Sequence, residues 1–284
     1  MGKANLKKIE LLETGEMVGL IQTLKDIADS KYYTLLSEKE KLRRFGETFV
    51  EFFRLISLTE VSHPLIKNDN KKMGILVISG EGSFLGKFNS SIFLQVEKTR
   101  EKHEDHKIIG VGEKSMMRYE HEEPNLKVFS GYEKVGLYEM AVQIKDYLVD
   151  EIVNDRLGRV SVVYSWPKTS DIQKPRTVPL LPCADIVSKQ VKFVDEFENV
   201  IEESNPKEII GMLSNIWVTS RIYEILMDVM IASAAAQAAF LDDSVDKMKK
   251  EEVKARAAYR KAKKSDIDKS LREIFSARLI ANKA

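Results

Sequence analysis

The chain has 284 residues, room for one large or two modest domains, and its 45 Lys and Arg nearly balance 44 Asp and Glu. That balance argues against a general nucleic-acid binder, which carries a clear basic excess, while an apolar share of 43% is ordinary for a chain with a buried core. A single cysteine, Cys183, excludes an intrachain disulfide and points to a reducing compartment; no window reads as the long uncharged run of a membrane span, and the opening MGKANLKKIELLETGEM lacks the apolar centre of a secretory signal.

All seven prolines lie between Pro64 and Pro206, so both flanks are free of the residue that ends helices. In the first flank Met17, Leu20, Leu24, Ile27, Leu35, Leu42, Phe45, Phe49, Phe52 and Ile56 recur at spacings of three and four, the stripe of a coiled coil or bundle. A helix from Asn5 to Ile56 would be roughly 80 Å long at about 1.5 Å per residue.

The middle of the chain alternates. Strand-like runs appear at GILVIS, KIIGVG, LKVFSG and RVSVVYS, with helical patterns at SSIFLQVEKTREKHED and GLYEMAVQIKDYLVDEIVND. This predicts a small α/β domain with a mostly parallel sheet. The stretch GEGSFLGKFNSS, Gly80 to Ser91, joins the first strand to the first of these helices, with Asn89 or Ser90 as expected N-cap. Strand, Gly-rich turn and helix can cradle a phosphate, but Gly86-Lys87 is followed by Phe88 and position 85 is Leu, so neither standard fingerprint is met. A tight turn whose glycines allow positive φ accounts for the pattern better. His103 and His106 in HEDH could touch one metal, yet they read as a solvated helix surface. His63 reads as linker and His121 as polar loop. SWPKTSDIQKPRTVPLLPC reads as a Pro-rich loop leading to an edge strand.

The last flank opens at ESNPKEIIGML, where Ser204 or Asn205 can cap, Pro206 suits the first helical position and Glu208 the first turn. Ile209, Leu213, Ile216, Tyr223, Leu226 and Met230 carry the stripe into IASAAAQAAF, an alanine run that admits a close neighbour. Continued to Leu279, this helix would exceed roughly 100 Å. Two such rods must pair. The expected architecture is therefore N- and C-terminal long helices in an antiparallel coiled coil, residues 1–63 and 205–284, with a Rossmann-like α/β domain, residues 64–204, inserted between them. Leu20, Leu24, Ile27, Ala235 and Ala239 are the expected seam.

Ordered motifs at both ends and the centre resemble the gamma subunit of F-type rotary ATP synthases. AYRKAKKSDIDKSLREIFSAR is similar to that family's Y-N-K-x-R-Q-x-x-I-T-x-E-L-x-E-I-x-x-G-A, with Tyr259, Lys261, Ile267, Leu271, Glu273 and Ile274 in register. LIQTLKDIADSKYY resembles K-I-T-x-A-M-x-M-V-A-A-S-K through Ala28, Ser30 and Lys31. LVISGEGSFLGKFN resembles V-V-S-T-D-R-G-L-C-G-G-x-N through Ser79, Gly86 and Asn89, with Glu81 for the acid. VGEKS and VPLLPC are similar to I-G-x-K-G and Q-L-L-P-L. Asp26, Gly82, Lys264 and Ala277 depart from the pattern and mark a divergent member.

The resemblance implies a rotor shaft without catalytic, metal or cofactor residues, in which the Gly80 turn is architectural. The implied partners are an alternating alpha/beta-type catalytic hexamer, an epsilon-type stalk subunit and a membrane c-type ring. No nucleic acid and no direct membrane insertion is implied, and the implied place is peripheral, at the cytoplasmic face of the cell membrane. Lys254, Arg256, Arg260, Lys261, Lys263 and Lys264 would face an acidic lever of the catalytic subunits. Ile274, Phe275, Leu279 and Ile280 would form an apolar bearing tip. Read from the residues alone, a nucleotide-binding α/β enzyme and a non-rotary coiled-coil adaptor stay open.

Overall fold

The structure, a computed structural model, describes residues 2–54, 63–122, 126–183 and 206–281, with the backbone alone at 42–54, 134, 206 and 279–281. Helix α1 (Lys3–Arg54) and helix α6 (Pro206–Ala281) are the two flanks. Between them lie β1 (Met73–Ile78), α2 (Phe88–Arg100), β2 (His106–Val111), α3 (Glu113–Tyr119), β3 (Lys127–Phe129), α4 (Tyr132–Val135), α5 (Leu137–Val153), β4 (Arg159–Pro167) and β5 (Gln173–Leu181). The proposed caps Ser204 and Asn205, the seam residue Ile56 and the side chains of Leu42, Phe45, Phe49 and Phe52 lie outside the described residues.

The chain divides into two compact units, residues 29–237 and residues 1–28 with 238–284. In the larger, five strands form one sheet in the order β3-β2-β1-β4-β5. β1 is central: it pairs parallel with β2 and with β4, and all six of its residues are buried. A strand covered on both faces needs apolar side chains throughout, which is why MGILVI is an unbroken run. β5 pairs antiparallel with β4 across a bulge at Val160/Ser161. Pro175 and Pro179 lack an N–H, so this strand suits the sheet edge. It begins at Gln173, well inside the stretch expected to be loop.

Two local expectations are corrected. α2 starts at Phe88 after Lys87, with no side-chain cap, because the Asn89 amide is spent on Gly80 instead. It also ends at Arg100, so HEDH is a turn entering β2 and not a helix. His106 pairs in register with Met73, and Arg100 Nε donates to its Nε2 at 3.1 Å.

α6 packs into the core of this unit through Ile210, Ser214, Val218, Ile222 and Ile225, one or two positions away from Ile209, Leu213, Ile216 and Tyr223 of the expected stripe, which are half-buried, while Leu226 and Met230 of that stripe are buried as expected. From 225 to 235 every residue is buried, as befits a helix that is apolar all round. This accounts for a window the sequence reading passed over: α6 holds an 18-residue stretch of mean hydropathy 1.5, long and apolar enough to cross a membrane by composition, and 72% of it is buried inside the fold. Ala235 is 4% exposed. Ala235→Phe is expected to lower stability by about 1–3 kcal/mol through overpacking; a thermal melt at the wild-type temperature would show the site to be roomier than its burial implies.

In the smaller unit the two helices run antiparallel: Ala28 packs with Ala238 and Leu241, Lys25 pairs with Asp242 at 2.6 Å, and the Ala4 N–H donates to Asp266 at 3.2 Å. Ile21 and Leu24 flank the Ala28 contact. The expected seam is thus corrected in part. Leu20 and Ile27 are 57% and 59% exposed, and Ala239 is exposed too. Two neighbouring apolar stripes run along α1, and the close approach of small residues at Ala28 and Ala238 selects the one through Ile21, Leu24 and Ala28.

Candidate interaction site

The Gly80 turn sits at the C-terminal end of β1, where neighbours on either side, β2 and β4, are reached by connections running opposite ways. That is where doubly wound sheets usually hold ligands. Here the polar groups close on each other. The Gly80 N–H donates to Asn89 Oδ1 at 2.8 Å, and Asn89 Nδ2 returns a bond to the Gly80 carbonyl at 3.2 Å. The Tyr132 hydroxyl donates to the Ser79 carbonyl at 3.0 Å and accepts from the Glu81 N–H at 3.2 Å. Glu81 Oε1 accepts from the Gly131 N–H at 2.7 Å. Ser79 Oγ donates to the Val111 carbonyl at 2.9 Å and accepts from the Ser115 N–H at 3.1 Å. Burial pushes the Tyr132 phenol well above its ordinary pKa, so it stays a donor. The Gly80 and Glu81 N–H groups thus have acceptors inside the fold, and the Phe88 N–H at the start of α2 donates to the Leu85 carbonyl at 3.0 Å. Gly112, at φ +92°, backs this arrangement so closely that a Cβ would lie 2.6 Å from Ser79 Oγ. The turn is a structural joint, and Ser79, Glu81 and Asn89 are the side chains that close it.

The basic residues of α6 lie in the smaller unit. Ala255 and Ala262, two turns apart, mark the buried side of the helix at 7% and 5% exposure. Lys254, Arg256, Arg260, Lys261, Lys263 and Lys264 are all exposed around the rest of its circumference. Lys254 pairs with Glu251 at 2.7 Å and Arg256 with Glu252 at 2.8 Å. Arg260, Lys261, Lys263 and Lys264 make no ion pair among the described residues. A run of unneutralised cations on a rigid helix favours an acidic partner surface.

Beyond Asp266, the partner of Ala4, α6 continues past the beginning of α1 at Lys3. Ile267, Leu271, Ile274 and Phe275, at spacings of four, three and one, form an apolar stripe that is 48–63% exposed. Ile267 and Leu271 extend the expected tip; their heptad-like spacing after the basic run was the available signal. The side chains of Leu279 and Ile280 lie outside the described residues. Among the described residues no three His, Cys, Asp or Glu side chains gather as a metal site.

A family model described as ATP synthase matches residues 10–278. Curated relatives are ATP synthase gamma chains: that of Picosynechococcus sp. is 20% identical over 90% of this chain and 92% of its own, and that of Haemophilus influenzae 22% identical with the same coverage. The chain belongs to the ATP synthase gamma-chain family. Among solved structures, the fold is similar to the rotor of Euglena gracilis mitochondrial ATP synthase, with a TM-score of 0.62, 14% identity and coverage of 93% of this chain and 98% of that one. It is also similar to the central stalk of Tetrahymena thermophila mitochondrial ATP synthase, with a TM-score of 0.61, 17% identity and coverage of 79% and 99%. The sequence signal missed altogether is Asp228, a lone acid in the buried run LMDVMIASAAA.

Proposed function

We propose that this chain is the central-stalk rotor subunit of an F-type ATP synthase, coupling proton or sodium flow through a membrane ring to ATP synthesis or hydrolysis in a catalytic hexamer. The observation that carries the reading is the family match over residues 10–278. The long helices act as an asymmetric antiparallel coiled coil inside a ring of near-threefold symmetry, so each catalytic subunit meets a different face. Different contacts favour different open and closed states, and rotation carries each subunit through the series. The chain itself is non-catalytic, and its turn at Gly80, closed by internal bonds, supports that reading.

The proposed partners are alpha/beta-type catalytic subunits at the basic run and the apolar stripe, an epsilon-type stalk subunit and a membrane c-type ring. The proposed place is peripheral, at the cytoplasmic face of the cell membrane. Co-expression with the neighbouring ATPase subunits tests this. The expected result is a stoichiometric complex that hydrolyses ATP and turns a bead fixed to this chain. A free chain that hydrolyses ATP at the rate of such a complex, or one that joins no ATPase subunit, would overturn it.

A further inference from the structure

Asp228 is 2% exposed, in the stretch of α6 that is buried all round. Lys39 of α1 donates to its Oδ1, and Arg176 of β5 lies with its Nη2 3.7 Å from Oδ2. Arg176 is itself held: its Nε donates to the Tyr164 hydroxyl at 2.7 Å, and its guanidinium carbon lies 4.9 and 5.0 Å from the ring centres of Tyr164 and Trp166 on β4. One carboxylate thus receives a cation from each of two other elements, joining the long helices to the β5 edge of the sheet.

Such a site is a poor way to gain stability. Apolar side chains of similar volume usually hold a core as well or better than a buried ion pair. Burial raises the Asp228 carboxyl above its ordinary pKa even though Lys39 and Arg176 act to lower it. What the arrangement does supply is direction, because two charged donors fix the helices against the sheet in one rotational setting while apolar contacts can slide.

We infer that Asp228, with Lys39 and Arg176, is a positioning site that carries torsional load between the helix pair and the α/β sheet. The inference rests on the rotor reading. Torque taken up by α1 and α6 has to reach the sheet, and this is where a charge on α6 is gripped by both α1 and β5.

The test uses the full chain assembled with its ATPase partners, the catalytic ring fixed to a surface and a bead attached through Lys168→Cys, an exposed position after β4. Cys183, 1% exposed, stays unlabelled. Asp228→Asn keeps the volume and one accepting oxygen, and because Lys39 and Arg176 reach solvent at 28% and 35% exposure, the free chain is expected to lose little melting temperature. The angular variance of the bead during catalytic pauses should broaden at least about twofold, as the charge-assisted bonds that set the angle are lost. Asp242→Asn, which removes a more exposed pair with Lys25, should leave the variance unchanged. Should Asp228→Asn lower the melting temperature, Arg176→Met reads the same joint from the half-exposed side and should broaden the variance alike. Wild-type variance in either assembled variant overturns the inference while leaving the rotor reading intact. A wild-type chain that neither assembles nor turns overturns the rotor reading and the inference together.

Discussion

Lys261→Glu, Lys263→Glu and Lys264→Glu combined are expected to give an assembled complex that turns over at least about tenfold more slowly than wild type at low salt. The three side chains are exposed on α6 without ion pairs among the described residues, so their charge is available to a partner. Under the rotor reading they pass acidic levers, and reversal juxtaposes like charges at several kcal/mol in the worst orientations. About 1.4 kcal/mol already corresponds to tenfold in rate. Glu is as good a helix former as Lys, so circular dichroism should be normal. Raising the salt should restore part of the rate, because exposed charges are screened over about 8–10 Å near physiological ionic strength. ATP hydrolysis by the reconstituted complex, measured against salt, decides the matter: unaltered rates at low salt would make the run a solvated face.

The second large effect is expected at Gly158→Ala, at the entry to β4. A Cβ there would lie 1.8 Å from the Asn70 carbonyl oxygen, and that oxygen belongs to main chain that cannot rotate aside. The segment is pinned: the Gly158 N–H donates to the Lys72 carbonyl at 2.9 Å, and Asn70 Nδ2 donates to the Asp155 carbonyl at 2.7 Å. Adding the methyl must pull β4 away from the lead into β1 or break these bonds. The loss should reach the upper end of about 1–3 kcal/mol, which at roughly 2–4 °C per kcal/mol moves a thermal melt by several degrees. A melt within one degree of wild type would mean that the loop before β1 yields freely.

Much of this fold was legible because burial on two faces writes itself plainly into β1 and β4, and because Pro-free flanks with apolar stripes have few alternatives to long helices. The stripes were readable to within one or two positions. Ile209 and Ile210, or Leu20 and Ile21, are equally apolar, and the choice between them is made by what lies opposite, such as Ala28 against Ala238. β5 hid in its prolines, which are compatible with an edge strand but also describe a loop. The basic run and the apolar stripe could be found from residue type and spacing, since an exposed patch needs no partner element to define it. Asp228, Lys39 and Arg176 could not, because 189 positions separate the first two and the sheet order that brings β5 alongside is a property of the whole fold.

The antiparallel pairing of α1 with α6 also orders events during synthesis. Ala4 and its partner Asp266 are 262 positions apart, so the first helix made waits for the last. At about 5–20 residues per second, α1 leaves the ribosome roughly 13–50 s before the far end of its partner exists. Until Ala238 and Leu241 are made, Ile21, Leu24 and Ala28 lack the apolar neighbours they meet in the folded chain, and the stripe through Leu20 and Ile27 stays open even afterwards. A nascent chain in this condition is a natural client for a holding chaperone, and copies made in excess of their ring would be the first to aggregate or be degraded.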